Sequence, residues 1–537
     1  MIDRPTLAPS PALARSTGGM VTSPHDLASR AGAEVLARGG NAIEAAIAIG
    51  AVLAVTYPHF CGLGGDAIWI VADRSGRRRV FSAIGQAAAH PPAADPIPTR
   101  GPLAALTSAA VVDGWGHALD WSARHWGGRE TLARLIEPAI VLAEEGFPVS
   151  PSQAFWLDFR KAETAGWPGF ASVFGAAHST GTPFRQPQLA ETLKAIAAEG
   201  ARGFYEGALA RRIAAGLAAA GSPLDAADLA ATRTREETPL ALDYRGLTLL
   251  APPPPTQGVT TLGIMGTLAA FPMEAIDEGG ADFYHLCVEA VKAAFDDRRG
   301  LADPDFAPQA VEAWLSAGRL AAHAAGIDRD RARPWPPKFQ TGDTVFLAAA
   351  DAEGGAVSVL QSLYYDWGSG VVAGDTGILW QNRGAAFGRR PDDPNRLAPG
   401  KRPFYTLNPG LALDGDRPHL LYGTQGADGQ PQTLAVLLSR LIDHRLDPAE
   451  ALRRPRFLLG RTFSDGRDTL KIEVDAGEAV IADLIQRGHE VARLPAGSPL
   501  AGQAGVIRID ADGSVTGAHD PRSDGRAIGV DRPGALS

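Results

Sequence analysis

A threonine that becomes a chain terminus carries two parts of an acyl-transfer catalyst on one residue, a hydroxyl nucleophile and an amine base. The run Gly342-Asp343-Thr344-Val345-Phe346-Leu347 puts Thr344 at the first position of an apolar strand, directly behind the proline-rich stretch 331–343. That stretch can be neither a regular helix nor a central strand, so the Asp343–Thr344 bond is where a cleavable peptide is expected. Once the bond is broken, the Thr344 α-amine has a reference pKa of about 7.7–8.0 and can act as a base near neutral pH. No separate histidine or aspartate is then required to activate the hydroxyl. In the uncut chain the same hydroxyl can attack the preceding carbonyl, shifting the acyl group from nitrogen to oxygen and leaving an ester that water opens. The same residues also admit a purely structural reading. Threonine is stiff at χ1 and suits a pleated surface, and a proline-rich stretch serves equally as an exposed linker.

The elements that must position Thr344 are legible in outline. Residues 344–365 (TVFLAAADAEGGAVSVLQSLYY) form two apolar runs around an acidic, glycine-containing turn, the pattern of a hairpin. Residues 67–73 and 77–85 form a second hairpin, turned by Arg74, Ser75 and Gly76. Upstream, residues 26–53 have helical periodicity broken at Gly39 and Gly40, with Asn41 placed to cap the second of two helices. The middle of the chain, 106–319, is rich in alanine, leucine and charged residues at helical spacing and is expected to be mainly helical. Two β-rich ends around a helical middle predict an α+β fold of four layers, αββα, with strands from both halves joining one sheet system.

Bulk properties narrow the function. The chain has 537 residues, 45% apolar and 21% charged, which is ordinary globular usage. Its 51 basic and 60 acidic residues give a net charge of −9, and no basic stripe with interleaved aromatics is present, so nucleic acid is not an expected partner. Cys61 and Cys287 are the only cysteines, which excludes a disulfide framework and any CxxC metal site. The first twenty residues lack the apolar core of a secretory signal and no run is long enough to span a bilayer, so a cytoplasmic protein without membrane contact is expected. There is no HExxH and no P-loop, and Gly62-Leu63-Gly64-Gly65 does not match GxGxxG; neither metal nor cofactor is expected.

Several blocks carry a specific likeness. Downstream of Thr344 stand 351–383 (DAEGGAVSVLQSLYYDWGSGVVAGDTGILWQNR), 401–410 (KRPFYTLNPG), 423–432 (GTQGADGQPQ) and 520–525 (DPRSDG). Upstream, in order, stand 24–48 (PHDLASRAGAEVLARGGNAIEAAIA), 57–66 (YPHFCGLGGD), 203–207 (GFYEG) and 285–298 (HLCVEAVKAAFDDR). Together they resemble the large- and small-subunit blocks of the γ-glutamyltranspeptidases over nearly the whole chain. The resemblance implies an N-terminal-nucleophile hydrolase fold. It also implies self-cleavage into a large region, 1–343, and a small region, 344–537, which remain one structural unit as a heterodimer and can dimerise again. It makes Thr344 the nucleophile and Asp343–Thr344 the cleavage site, with Ser362 as the hydroxyl that hydrogen-bonds the threonine. Gly426 and Ala427 fall where paired glycines supply oxyanion-hole N–H groups, a role alanine can fill while its φ stays negative.

The substrate pocket departs from that pattern. Where γ-glutamyl-recognising members hold the substrate α-carboxylate and α-amino group, this chain has Gln86, Tyr364 and Ala386, and the paired serines become Tyr405 and Thr406. A hydrogen bond to a charged group contributes about 1.5–3 kcal/mol, so losing two or three weakens glutamyl recognition roughly a thousandfold. Arg383 stands where many members carry glutamine, which moves a guanidinium to another wall and still permits a carboxylate to be clamped. Tyr364, Tyr365, Trp367, Phe404 and Tyr405 would shorten the acyl pocket, and Asp428, Gln430 and Gln432 lie near the oxyanion loop. This combination is similar to a branch of the family that includes oxamate amidohydrolases. The expected activity is therefore amide hydrolysis or acyl transfer on small carboxylate-bearing amides. The rival from another class is a non-catalytic binder of small carboxylates on the same fold.

Overall fold

A computed structural model describes residues 13–92, 96–175, 179–335, 343–388, 390–462 and 465–532. Residues 336–342 of the proline-rich stretch lie outside them. Two seven-stranded sheets, antiparallel at every pairing, form the centre. One runs in the order Arg526–Val530, Gly19–Ser23, Asp343–Ala350, Ala356–Tyr364, Asp66–Ala72, Arg78–Ala83, Arg235–Glu237. The other runs Ala14–Ser16, Val515–His519, Ala504–Ile509, Arg417–Thr424, Gly410–Asp414, Leu247–Ala251, Leu240–Tyr244. Both sheets interleave strands from before and after the Asp343–Thr344 bond: Ala348 pairs with Thr22, and Gln361 with Ala67.

The alternation of side chains on the strands builds the four layers. Along Asp343–Ala350, Val345, Leu347 and Ala349 face an outer core shared with the helices, while Phe346, Ala348 and Ala350 face the space between the sheets. From the opposite sheet, Leu250, Leu411, Leu421 and Ile507 fill the same inner layer. A period of two with both faces covered is what a central strand of a sandwich requires. Glycine makes room for the largest inner side chain: a Cβ on Gly423 would lie 2.2 Å from the Phe346 ring, and one on Gly505 2.8 Å.

Helices Asp26–Ala37 and Ala42–Thr56 cover the first sheet, and Gly258–Leu268, Ala281–Arg298 and Gln430–Ile442 cover the second. Ala42–Thr56 is buried on every side, as a sequence apolar all round but for Glu44 and Thr56 requires. Asn41 caps it: its Oδ1 accepts from the Ile43 and Glu44 N–H groups, and the Glu44 carboxylate accepts from the Asn41 N–H. Among the described residues no helix is long and apolar enough to cross a membrane. The helical middle differs from expectation in two places: Phe147–Pro148 pairs with Pro183–Phe184, and Arg235–Glu237, Leu240–Tyr244 and Leu247–Ala251 are strands. Arg245 and Gly246, at φ 52° and 86°, form the tight turn that pairs the last two.

Candidate active site

Thr344 begins its strand at an irregularity. Asp343 pairs with Tyr364, and the register shifts between Asp343 and Val345, a bulge that re-aims the residue inside it. Thr344 is 1% exposed. Its Oγ1 donates to Ser362 Oγ at 3.1 Å, and Ser362 Oγ donates to the Asp343 carbonyl oxygen at 2.8 Å while accepting from the Tyr364 N–H at 2.8 Å. One serine thus links the hydroxyl of Thr344 to the carbonyl that this hydroxyl would attack. Asp343 is itself buried; Gln425 Nε2 donates to its Oδ1, and its Oδ2 has no hydrogen-bond partner.

Next to this relay lies a buried guanidinium. The Arg383 guanidinium carbon sits 3.8 Å from the Tyr364 ring centroid and 4.4 Å from that of Tyr405. Arg383 Nη1 donates to Thr406 Oγ1 at 3.4 Å, its Nε is buried without a partner, and no carboxylate among the described residues pairs with it. Tyr364 holds φ 82°, a left-handed value uncommon for a bulky side chain and concentrated at functional sites. Its ring stacks on Tyr365 at 4.3 Å. Ala385 and Ala386 pack against the two rings.

The sequence reading gave no role to Asp66, yet it anchors this wall. The Tyr405 hydroxyl donates to Asp66 Oδ2 at 2.6 Å, and Asp66 Oδ1 accepts from the Gly85 and Ala110 N–H groups at 2.9 and 3.0 Å. Burial pushes its carboxyl up to about 6; the Tyr405 hydrogen bond and the charge of Arg383 work against that rise. Asp66 ends the quoted block 57–66, which was the available signal.

Gly426 precedes and Ala427 opens the 3₁₀ turn Ala427–Gly429, which leads into helix Gln430–Ile442. Neither N–H donates a hydrogen bond within the described residues, so both are available to an anion near a helix N-terminus. The expectation of negative φ at Ala427 does not hold: the residue sits at φ 43°, beside Gly426 at 124°. Its carbonyl accepts from Gln257 Nε2 at 2.8 Å, and that amide also donates to the Thr406 carbonyl at 2.7 Å. The anchored carbonyl fixes the turn, which holds alanine in a conformation that costs about 1–2 kcal/mol.

Other sequence-derived candidates lie differently. The Gln86 side chain points to the helix Ala226–Ala230, donating to the Asp228 carbonyl at 3.1 Å. Asp428 is ion-paired with Arg298 at 2.7 Å. Gln430 accepts from the Asn408 N–H, and Gln432 ties Leu459 to the Asp428 carbonyl. Trp367 packs with Phe170 and Phe174 in the outer core, and Phe404 lies against Arg298. Of the five rings, Tyr364, Tyr365 and Tyr405 therefore remain beside Arg383.

Among the described residues one cluster has metal-ligand composition, His285, Glu289 and His489. Its donors are engaged: His285 Nδ1 lies 2.8 Å from His489 Nε2, His285 Nε2 lies 2.8 Å from the Asp328 carbonyl, and Lys292 occupies Glu289 at 2.7 Å. Lys292 supplies the cation there.

A family profile described as Gamma-glutamyltranspeptidase matches residues 28–530. The chain is 43% identical to an oxamate amidohydrolase proenzyme of Klebsiella pneumoniae, over 96% of this chain and 99% of that one. It is 39% identical to a glutathione hydrolase-like YwrD proenzyme of Bacillus subtilis, with the same two shares covered. Its backbone superimposes on a cephalosporin acylase from Bacillus halodurans with a TM-score of 0.90 at 31% identity, covering 99% and 100% of the two chains.

Proposed function

The chain belongs to the gamma-glutamyltranspeptidase family, and from that premise we propose that Thr344 is the nucleophile of an amide hydrolase or acyltransferase that first severs its own Asp343–Thr344 bond. The observation that carries the reading is the hydrogen-bonded path from Thr344 Oγ1 through Ser362 Oγ to the Asp343 carbonyl oxygen. Cleavage leaves regions 1–343 and 344–537 joined through both sheets, so the two fragments stay together as a heterodimer.

In the mature enzyme the Thr344 amine takes the hydroxyl proton, the hydroxyl attacks the substrate amide, and the amine returns the proton to the leaving nitrogen. Ser362 holds the hydroxyl in place. The free N–H groups of Gly426 and Ala427 stabilise the oxyanion, a contribution of about 3–4 kcal/mol per donor. Water or an amine then takes the acyl group from the threonine ester.

Arg383 receives the substrate carboxylate. A buried guanidinium between two aromatic faces, with no carboxylate paired to it among the described residues, is preorganised for one. Tyr364, Tyr405 and Thr406 crowd around it, which favours a short acyl group over a long one. The expected substrates are short amides with a carboxylate close to the scissile carbonyl, oxamate among them.

The test is mass spectrometry of purified protein together with a panel of amides. The reading expects fragments of about 36 and 20 kDa, the smaller beginning at Thr344, and turnover of oxamate well above that of γ-glutamyl-p-nitroanilide. Thr344→Ala should stay a single inactive chain. A wild-type chain that stays whole, or robust glutamyl turnover, would sink the reading.

A further inference from the structure

The proposed chemistry gives no role to the side-chain carboxyl of Asp343, which stands at the cut itself. That carboxyl belongs to the residue whose carbonyl is attacked, is 3% exposed, and leaves Oδ2 without a hydrogen bond. A carboxylate would be costly to keep there; a neutral carboxylic acid is not. Gln425 Nε2 satisfies Oδ1, which leaves the second oxygen to carry a proton.

We propose that Asp343 is the proton donor for self-cleavage, passing its carboxyl proton to the Thr344 nitrogen as the peptide bond breaks. The inference rests on cleavage at Asp343–Thr344. It adds the one requirement that the hydroxyl relay leaves unmet, since an amide nitrogen departs poorly unless it is protonated.

The protons balance, and the first two transfers follow the contacts from Thr344 Oγ1 to Ser362 Oγ and from Ser362 Oγ to the Asp343 carbonyl oxygen. As Thr344 Oγ1 bonds to the Asp343 carbonyl carbon, its proton moves to Ser362 Oγ and the Ser362 proton moves to the carbonyl oxygen. The Asp343 carboxyl then protonates the Thr344 nitrogen, the carbon–nitrogen bond breaks, and the proton on the former carbonyl oxygen returns to the carboxylate. The product is an ester between Asp343 and the Thr344 hydroxyl, with a free amine and a regenerated carboxylic acid. Water adds hydroxide to the Asp343 carbon and a proton to the Thr344 oxygen, which completes the cut.

The surroundings keep the acid protonated. Burial drives its pKa well above the ordinary carboxylate value, and the charge of Asp366 adds to the rise. Gln425 from the loop after Arg417–Thr424, Arg160 from helix Pro151–Thr164, and Arg100 act in the opposite direction. Both arginines are committed to Asp366: Arg160 Nε lies 2.7 Å and Arg100 Nη2 3.1 Å from its carboxylate.

The experiment follows conversion of full-length precursor, made by cell-free synthesis, on gels from about pH 5 to about pH 9. Wild type should convert fastest in the acid part of that range and slow as pH rises. Asp343→Asn keeps the size and the acceptor for Gln425 but cannot donate as an acid; it should convert at least about tenfold more slowly and lose that pH dependence. Asp343→Glu should recover part of the rate. Asp343→Asn converting at the wild-type rate would overturn the proposal. So would a wild-type rate that is flat or rises with pH, a result independent of how the variant folds. Wild type that never cuts would overturn this proposal and the nucleophile reading together, whereas equal cutting by wild type and variant removes only Asp343.

Discussion

Ser362 and Asp66 stand directly opposite each other on the neighbouring strands Ala356–Tyr364 and Asp66–Ala72. Directly paired residues point to the same face of a sheet. One of them holds the Thr344 hydroxyl, and the other holds the hydroxyl of Tyr405, whose ring packs on Arg383. The proposed nucleophile and the proposed carboxylate receptor are thus set by the register of a single strand pair, at the end of the layer between the sheets.

The Ser362 half of that pair should govern both reactions. Ser362→Ala removes the acceptor of Thr344 and the donor to the Asp343 carbonyl. Self-cleavage and amide turnover should each fall by about 10²–10³, and Ser362→Thr should restore most of both. A gel time course and a release assay on the same preparations check this; a loss of turnover with self-cleavage untouched would separate Ser362 from the relay.

Arg383 should act through binding. Removing a charge-assisted contact of about 1.5–3 kcal/mol predicts a roughly 10- to 150-fold lower kcat/KM for oxamate in Arg383→Gln, mainly through KM. Arg383→Lys should recover little, because an ammonium loses both the planar fork and the stacking between Tyr364 and Tyr405. An uncharged amide of the same length provides the control, and an equal loss on both substrates would mean that Arg383 only supports the fold.

The parts of this arrangement that were legible in sequence are those written in local signals. Asn41 announces a capped helix, Arg74-Ser75-Gly76 announces a turn, and Thr344 and Ser362 lie on two strands of one hairpin. What escaped depends on distant partners. The contact between Asp66 and Tyr405 joins residues hundreds of positions apart, and Asp428 finds its ion-pair partner Arg298 on another helix. Strands Leu240–Tyr244 and Leu247–Ala251 are built of leucine and alanine, good helix formers, so composition pointed to the wrong element until tertiary pairing decided. The left-handed Ala427 was illegible because alanine carries no signal for positive φ.

Asp66 should leave a mark on stability against pH. Burial lifts its carboxyl to about 6 in the native chain, against about 3.9 when unfolded. The native state therefore holds the proton more tightly. The stability that this proton provides is full below about pH 4 and is lost as pH rises through about 6, a change of about 3 kcal/mol. In a Thr344→Ala background, Asp66→Asn should remove this component, so that its thermal midpoint gains about 2–3 °C relative to the parent between acid and neutral pH. Parallel midpoints for the two chains would assign the pH response elsewhere.

The last prediction concerns the layer that holds both sheets together. Gly423 pairs with Gly505 across the second sheet, and Phe346, two residues beyond Thr344 on its strand, presses its ring onto both from the first. In Gly423→Ala the new methyl would meet ring carbons at 2.2 Å, and the aromatic side chain cannot withdraw without opening the inner core. The expected cost is at least about 1–3 kcal/mol. Because Phe346 shares its strand with Thr344, self-cleavage should slow as well. Thermal denaturation and a processing time course check the two effects together. A variant that melts like wild type would mean that the sheets can part at Phe346 without cost, and that the inner layer does not hold the nucleophile strand in place.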